Sequence, residues 1–538
     1  MHHFCDNFGW IVYHIFMEKK KLLITINTGG RKVELQAPKG RLLKGLFSDA
    51  DLHFSMPCGG VGRCGKCRVR FISGAPKANS LDRSFLSADD IEKGYRLLCR
   101  CIVTEDCEIE LDEEKITVES SYKIQMKERM KPEDVTTWGV AIDIGTTTLE
   151  AMLVGMNKDK EREIFEITSM INHQRRFGAD VIARIAAAGE GHLEELQSLI
   201  QDDIARIISE LSANNKVSKL DYICITGNTT MLHLLRGYDV AGLGKYPYKA
   251  DNLGCEIISG SEVCGIIDGA KVVLMPGISA FVGADIVSGL YAINILQKKH
   301  SVLFLDLGTN GEMAFWDGEK LLVTSTAVGP VFEAGGITCG MPAVPGAICR
   351  VHIDKKEEGF DIRLETVKDG APIGICGTGV FEAVSELVRN KIVDETGLLK
   401  EEYFEKGFKL TDGENGIRIT QGDIRNVQLG KAALLAAQRE LLKGREPELV
   451  EVSGGYSRGF DPDRIRHLGL FSPNAKWVRS ASNAALVGCM YFLVDLLKGQ
   501  EEGEKSIREL EDIVSKAQVV ELVNLSDFAE NYVDALNF

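Results

Sequence analysis

The sequence predicts an α+β multidomain chain: a small β-rich N-terminal domain followed by a two-lobed α/β body. Three observations predict it. Before residue 112, alternating strand-like runs surround a glycine- and cysteine-rich loop at 58–67. From Trp138 onward, apolar runs such as VAIDIG, YICITG, KVVLMPG, VLFLDLG and VEVSGG alternate with helical stretches, as covered sheets require. Within that body, VAIDIGTTTLEAMLV (140–154) and LFLDLGTNGEMAFW (303–316) both read strand, Asp-x-Gly-Thr turn, strand. They lie 163 residues apart, from Asp143 to Asp306. A repeat of lobe size implies two related halves rather than a solenoid.

Taken in order, residues 22–36 (LLITINTGGRKVELQ) read as a hairpin about Asn27-Thr28-Gly29-Gly30. A short helix is expected over Leu42–Phe47, then the loop 58–67, a strand Cys67–Ile72, a helical stretch over 84–93 and a strand Cys101–Leu111. The polar run before Trp138 reads as a connector. A charged helix is expected near 502–517 and an amphipathic segment over Ser526–Phe538. The expected domains are 17–113, a linker 114–137, a first lobe 138–300, and a second lobe with its tail, 301–538.

With 538 residues, one core is too few. Hydrophobic residues at 44%, charged residues at 26% and 55 Gly against 13 Pro describe a globular, loop-rich α/β chain. A net charge of −15 argues against nucleic acid as the main partner, since phosphate backbones need a basic face. No apolar run approaches the ~18 residues that cross a bilayer, so no membrane association is expected. The nearest, Gly9–Phe16, lacks a basic flank before it and a cleavage site after it, so residues 1–16 read as an extension before Met17. Fourteen cysteines without a secretion signal indicate thiols and metal ligands in a reducing cytoplasm.

Half of those cysteines precede residue 110, and four have ligand-like spacing. Cys58-Gly-Gly-Val-Gly-Arg-Cys64-Gly-Lys-Cys67 gives C-x5-C-x2-C, with Cys99 following 32 positions on. A [2Fe–2S] cluster needs four thiolates and a chain that wraps tightly around inorganic sulfur. Gly59, Gly60, Gly62 and Gly65 permit that wrapping, and backbone N–H groups with Arg63 and Lys66 would stabilise the reduced cluster. The first gap is one residue longer than the plant-type C-x4-C-x2-C and resembles the adrenodoxin-like branch. Cys101 rivals Cys99 as fourth ligand, because on a strand both point the same way. Zinc would more naturally show two C-x2-C pairs.

The repeated turns suit phosphate. Gly145 lets the chain bend toward an anion, while Thr146, Thr147 and Thr148 offer hydroxyls and successive N–H groups. Asp143 at the strand end can hold Mg²⁺ through water. Asp306, Gly308, Thr309, Asn310 and Glu312 repeat the device. A single such turn is an ordinary hairpin; two at lobe separation would clamp the β- and γ-phosphates. Gly454 and Gly455, after another strand, would let an adenosine face approach. Gly377, Thr378 and Gly379 precede a helix and serve either an anion or close helix–sheet packing.

With these residues in view, the chain from about 138 resembles the actin, sugar-kinase and heat-shock-chaperone ATPases, a ribonuclease H-like fold. Joined to a β-grasp [2Fe–2S] ferredoxin domain, it looks like the reductive activators of corrinoid proteins. The resembling segments are GVAIDIGTTT (139–148), FGADVIARI (177–185), TGNTTMLHLL (226–235), DLGTNGE (306–312), GICGTG (374–379), QGDIRNVQLGKAA (421–433) and SGG (453–455). The resemblance implies an ATP-hydrolysing electron-transfer enzyme that reduces Co(II) corrinoid to Co(I). Its cofactors would be a [2Fe–2S] cluster on Cys58, Cys64, Cys67 and Cys99, and ATP with Mg²⁺. The catalytic carboxylates would be Asp143, Asp306 and Glu312.

The implied partners are a corrinoid protein of a methyltransferase system and a low-potential electron donor, with a homodimer in view. Departures are the short 114–137 connector, which leaves no room for an extra small domain, Ser453 in place of the usual alanine, and SASNAALVG (480–488) without a glycine before Asn483. An activator of another low-potential metalloenzyme and a small-molecule kinase with an iron–sulfur sensor are the rival readings. Among single residues, His233 reads as a core or capping histidine. Asp285 reads equally as an Mg²⁺-shell group or a helix N-terminal acid, Glu333 as a cleft or structural residue, and Asp180 with Arg184 as a salt bridge or a site.

Overall fold

A computed structural model of the chain describes residues 21–28, 31–49, 67–111, 130–263, 269–357, 359–413, 416–457, 461–471, 475, 477–481, 483–525 and 527–538. These form two compact units, one drawn from residues 1–115 with 173–179 and the other from 116–172 with 180–538. No helix among the described residues is long and apolar enough to cross a membrane.

The first unit is a mixed sheet of β1 (Lys21–Thr28), β2 (Arg31–Pro38), β3 (Arg68–Ser73), β4 (Tyr95–Leu97) and β5 (Cys107–Glu110), in the order β2-β1-β5-β3-β4. Alternation in β1 sends Leu22, Ile24 and Ile26 into a core shared with Val69, Phe71, Leu97 and Ile109. Helix Leu43–Asp49 adds Leu43, Leu46 and Phe47 to the same core. The hairpin pairs Thr28 with Arg31 as its turn residues require. The stretch expected as one helix over 84–93 is two, Ser80–Phe85 and Ala88–Glu92. Each starts on its own capping box, Asn79 with Asp82 and Ser87 with Asp90, and the second cap forces Leu86 out of helical geometry. The strand expected over Cys101–Leu111 shrinks to β5, because residues 101–103 bond the segment 40–43 instead, Leu43 N donating to Cys101 O and Val103 N to Arg41 O, both at 2.9 Å. The loop 58–66 and the connector residues 114–129 lie outside the described residues.

In the second unit, β6 (Val135–Ile144), β7 (Thr148–Asn157), β8 (Arg162–Ile171), β9 (Tyr222–Gly227), β10 (Glu256–Ser259) and β11 (Lys271–Leu274) form a six-stranded sheet, β10-β11-β9-β6-β7-β8. The second lobe repeats its centre. β12 (Val302–Leu307), β13 (Gly311–Trp316) and β14 (Leu321–Thr326) form a meander. Next come the three-stranded β15 (Ala347–Lys355), β16 (Phe360–Thr366) and β17 (Gly374–Ile375), and the ribbon β18 (Phe408–Lys409) with β19 (Arg418–Ile419). Finally β20 (Leu449–Ser453), β21 (Trp477–Ser480) and β22 (Ala517–Val519) complete the sheet β21-β20-β12-β13-β14-β22. In both lobes the first strand of the hairpin lies between its antiparallel partner and a parallel strand, β9 or β20.

Two helices, Ala284–Ala292 and Ala484–Lys498, pack between these sheets in one core with Ala141, Met152, Phe304 and Ala314. They touch through bare backbone. Ser288 donates to the Ala485 carbonyl at 2.6 Å, and a Cβ on Gly488 would collide with the Ser288 carbonyl. Gly488→Ala should therefore cost about 2 kcal/mol in chemical denaturation. Gly189→Ala, where nothing lies within 4 Å, should stay within about 0.5 kcal/mol of wild type.

Candidate nucleotide and cluster sites

Each repeated hairpin faces an aspartate with a glutamate across the ladder, Asp143 with Glu150 and Asp306 with Glu312. The turns between them are closed by their own backbones. Gly145 N donates to Thr148 O at 2.9 Å and Gly308 N to Asn310 O at 3.0 Å. Neither glycine has a positive φ, so conformational freedom is not why they are there. What Gly145 supplies is space: a Cβ would lie 2.7 Å from Thr148 O. Gly454 is different, with φ of 87° and no room for a Cβ, which would sit 2.6 Å from Asp306 Oδ1.

Asp285, in the first turn of helix Ala284–Ala292, joins the carboxylates. Burial raises all four acids. Asp143 and Glu312 rise well above the usual range, Asp306 to about 7 and Asp285 to about 6. Neighbouring carboxylates add to burial: Asp285 acts on Asp143, Asp306 and Glu312. Asn483 opposes the rise by donating to Asp143 Oδ2 and to Glu150 Oε2, both at 2.9 Å. Ser453 donates to Asp306 Oδ2 at 3.4 Å while accepting from Ala484 N at 3.0 Å. Ser453 thus ties the second-lobe aspartate to the start of the interlobe helix.

Among the described residues, no three His, Cys, Asp or Glu side chains converge on a single ion site. Carboxylate oxygens are the donors that a hard cation such as Mg²⁺ takes, and such an ion keeps several of its own waters beside them.

The first-lobe turn is held from below. Asn172 N donates to Thr147 O at 3.0 Å and Asn172 Nδ2 to Gly145 O at 2.9 Å. The fully buried Arg184 donates to the Thr146 carbonyl and meets Met231 Sδ at 3.1 Å. Asn228 donates to Thr146 Oγ1 at 3.2 Å. Asp180 caps its helix through Ala183 N at 2.8 Å. Thr147 and Thr309, one from each lobe, both donate to Glu333 Oε2, at 3.4 and 3.3 Å.

Close packing accounts for Gly377 and Gly379, where a Cβ would strike Phe332 O and Ile348 O. Thr378 sits between them, its hydroxyl 3.3 Å from Cys376 Sγ. Gly455 faces open space. His233 is a core histidine: Nδ1 meets Thr229 O at 2.8 Å, Nε2 accepts from Asp251 N at 3.1 Å, and burial lowers its pKa.

In the first unit, Cys67 and Cys99 are buried side by side, because Arg68 pairs with Leu97 and Leu98 N donates to Cys67 O at 2.8 Å. Cys58 and Cys64 lie outside the described residues. The 3-10 turn overturns the argument that Cys99 and Cys101 point alike along a strand. That turn is pinned by the buried Asp82, which accepts from Leu97 N at 2.9 Å, and by Arg96, which donates to Pro76 O and Ile91 O at 2.8 Å each. A buried thiol on a fixed turn, with a second buried just before β3, fits a soft, thiolate-bound iron–sulfur group.

Three family descriptions match the chain: "2Fe-2S iron-sulfur cluster binding domain" over 24–104, "RACo middle region" over 138–298 and "C-terminal domain of RACo the ASKHA domain" over 300–538. The chain belongs to the RACo family of corrinoid reductive activators. It is 27% identical over 551 aligned positions to the corrinoid activation enzyme RamQ of Eubacterium limosum, covering 86% of this chain and 91% of that one. A "[Co(II) methylated amine-specific corrinoid protein] reductase" of Methanosarcina barkeri is 25% identical, over 65% of this chain and 68% of that one. A solved "Reductive activator for corrinoid,iron-sulfur protein" shares the fold, with a TM-score of 0.66, 24% identity and coverage of 96% and 98%. The cofactors of this RACo chain are a [2Fe–2S] cluster and ATP with Mg²⁺.

The raised acids carry a stability signature. A carboxyl whose folded pKa exceeds its unfolded one stabilises the fold below pH ~4 and loses that contribution as pH rises through the folded value. Without nucleotide, this loss should fall between pH ~4 and the values near 6 and 7 of Asp285 and Asp306. Asp306→Asn should flatten the decline in thermal unfolding measured from pH 5 to 8.

Proposed function

We propose that this RACo chain passes single electrons to a corrinoid protein of a methyltransferase system, returning Co(II) to Co(I) in a reaction driven by ATP. What carries the reading is one chain holding both a ferredoxin domain with buried thiols and a two-lobed body with a buried set of carboxylates. Cys58, Cys64, Cys67 and Cys99 are the proposed cluster ligands, and the bound [2Fe–2S] group supplies one-electron redox chemistry.

In the cleft, Asp143, Asp306 and Glu312 orient the waters of Mg²⁺. Thr146, Thr147, Thr148, Thr309 and Asn310 donate to phosphate oxygens on turns shaped by Gly145 and Gly308. Gly454 and Gly455 give the adenosine its approach, and Gly377, Thr378 and Gly379 back the cleft from the helix behind. Asn483 holds Asp143 ready for a cation, and Arg184 fixes the Thr146 carbonyl so that the turn keeps its shape. Hydrolysis would then depend on positioning and on charge stabilisation.

ATP has a thermodynamic task. Plant-type clusters lie near about −400 mV, and an acceptor about 100 mV lower costs about 2.3 kcal/mol per electron. Nucleotide-dependent lobe closure offsets that by favouring a partner state that is easier to reduce. The reading includes a low-potential electron donor, a homodimer and a cytoplasmic setting.

The test is anaerobic. The reduced protein is mixed with a Co(II) corrinoid protein, and the Co(I) absorbance band is followed with and without Mg-ATP. Co(I) is expected only with ATP, and Cys58→Ser, Cys99→Ser or Asp143→Ala should each lower its rate at least tenfold, whereas Cys101→Ser should retain it. Co(I) formation at the same rate without ATP would sink the coupling. ATP turnover without Co(I) would move the reading to another acceptor.

A further inference from the structure

We infer that Glu333 is a γ-phosphate sensor: its carboxylate holds the place of the terminal phosphoryl group and is displaced by a nucleoside triphosphate but not by a diphosphate. This deepens, and rests on, the nucleotide reading of the cleft.

The observation is the shared acceptor. Thr147 sits on the first-lobe turn and Thr309 on the equivalent turn of the second lobe, 162 residues later in the sequence. Both hydroxyls point their single donor at the same oxygen, Glu333 Oε2, at 3.4 and 3.3 Å. A site where threonines from the matching turns of two lobes meet one anionic oxygen is a site for the phosphate that bridges them. Each threonine has one proton to give, so a carboxylate and a phosphoryl group compete for the same pair. Their like charges also exclude one another beside the four carboxylates of the cleft. A diphosphate lacks the group that competes.

The turn bearing Glu333 is built to pass the displacement on. Pro330–Glu333 is a 3-10 turn with Gly329, Ala334 and Gly336 at positive φ around it. The adjacent Phe332 stacks on Phe381 with ring centroids 4.6 Å apart and meets Tyr456 edge-on at 5.0 Å. Its carbonyl abuts Gly377 at the start of helix Gly377–Arg389. Asn426, on helix Gln421–Leu442, donates to Gly336 O at 2.9 Å. Moving Glu333 therefore loads two helices of the second lobe.

The experiment measures Kd for Mg-ATP and Mg-ADP by calorimetry on the full-length, cluster-containing protein, comparing wild type with Glu333→Gln and Glu333→Ala. Both variants should bind Mg-ATP about tenfold more tightly, about 1.4 kcal/mol, with Mg-ADP affinity changed less than twofold. In wild type, amide exchange across residues 329–336 should rise with a non-hydrolysable Mg-ATP analogue and not with Mg-ADP. An equal change for both nucleotides would overturn the inference. So would unchanged or weaker binding of Mg-ATP by the two variants. Because only binding and exchange are read, failure of Co(I) formation would not disturb either outcome.

Discussion

Asp143, Asp285, Asp306 and Glu312 are buried within reach of one another's charge, and their desolvation and mutual repulsion set what the surrounding structure must provide. Asp143 and Asp306 arrive on the central strands of two equivalent hairpins, Glu312 on the return strand of the second, and Asp285 on the helix between the sheets. Burial and neighbouring negative charge push these acids toward the protonated form. A fold that concentrates acids in this way gains most when a divalent ion arrives with its own phosphate ligands.

The interlobe helices connect those acids to everything else. Ala484–Lys498 begins at Asn483, which bonds the first-lobe pair of acids, and its Ala484 N–H reaches Ser453, which bonds Asp306. One helix end therefore senses both halves of the site. Its flank is locked at Gly488 against Ser288, on the helix that also carries Asp285. A change at the cleft has a short physical route into the packing between lobes. The ferredoxin unit follows a different economy: Asp82 and Arg96 spend their hydrogen bonds on fixing the turn that presents Cys99.

Much of this was legible in the sequence where local chemistry dominates. The apolar strand runs, the repeated Asp-x-Gly-Thr turns and the clustered cysteines each declare themselves within a dozen residues, and the two-lobed α/β body and ferredoxin domain follow. Features set by tertiary contact were not legible. Asn483 and Glu150 belong to the site because a helix near the C-terminus returns to the first-lobe sheet, a contact across 333 positions. Their signals were present, Glu150 as the counterpart of Glu312 in the repeat and Asn483 in SASNAALVG. Arg184 gave no sign that it would be buried beneath the turn that follows β6. The strand drawn from Cys101 failed because residues 101–103 bond back to the segment 40–43, a pairing that an alternation read in one dimension does not show.

The central claim is that the acid cluster is completed by a magnesium nucleotide, and proton linkage tests it most directly. Preformed Mg-ATP is titrated into the protein at pH 6.5 in buffers of different ionisation enthalpy. The account expects net proton release, because the arriving cation returns Asp285 and Asp306 from about 6 and 7 toward ordinary carboxylate values. Asp306→Asn should reduce that release. Binding with no proton exchange, or with uptake, would contradict it.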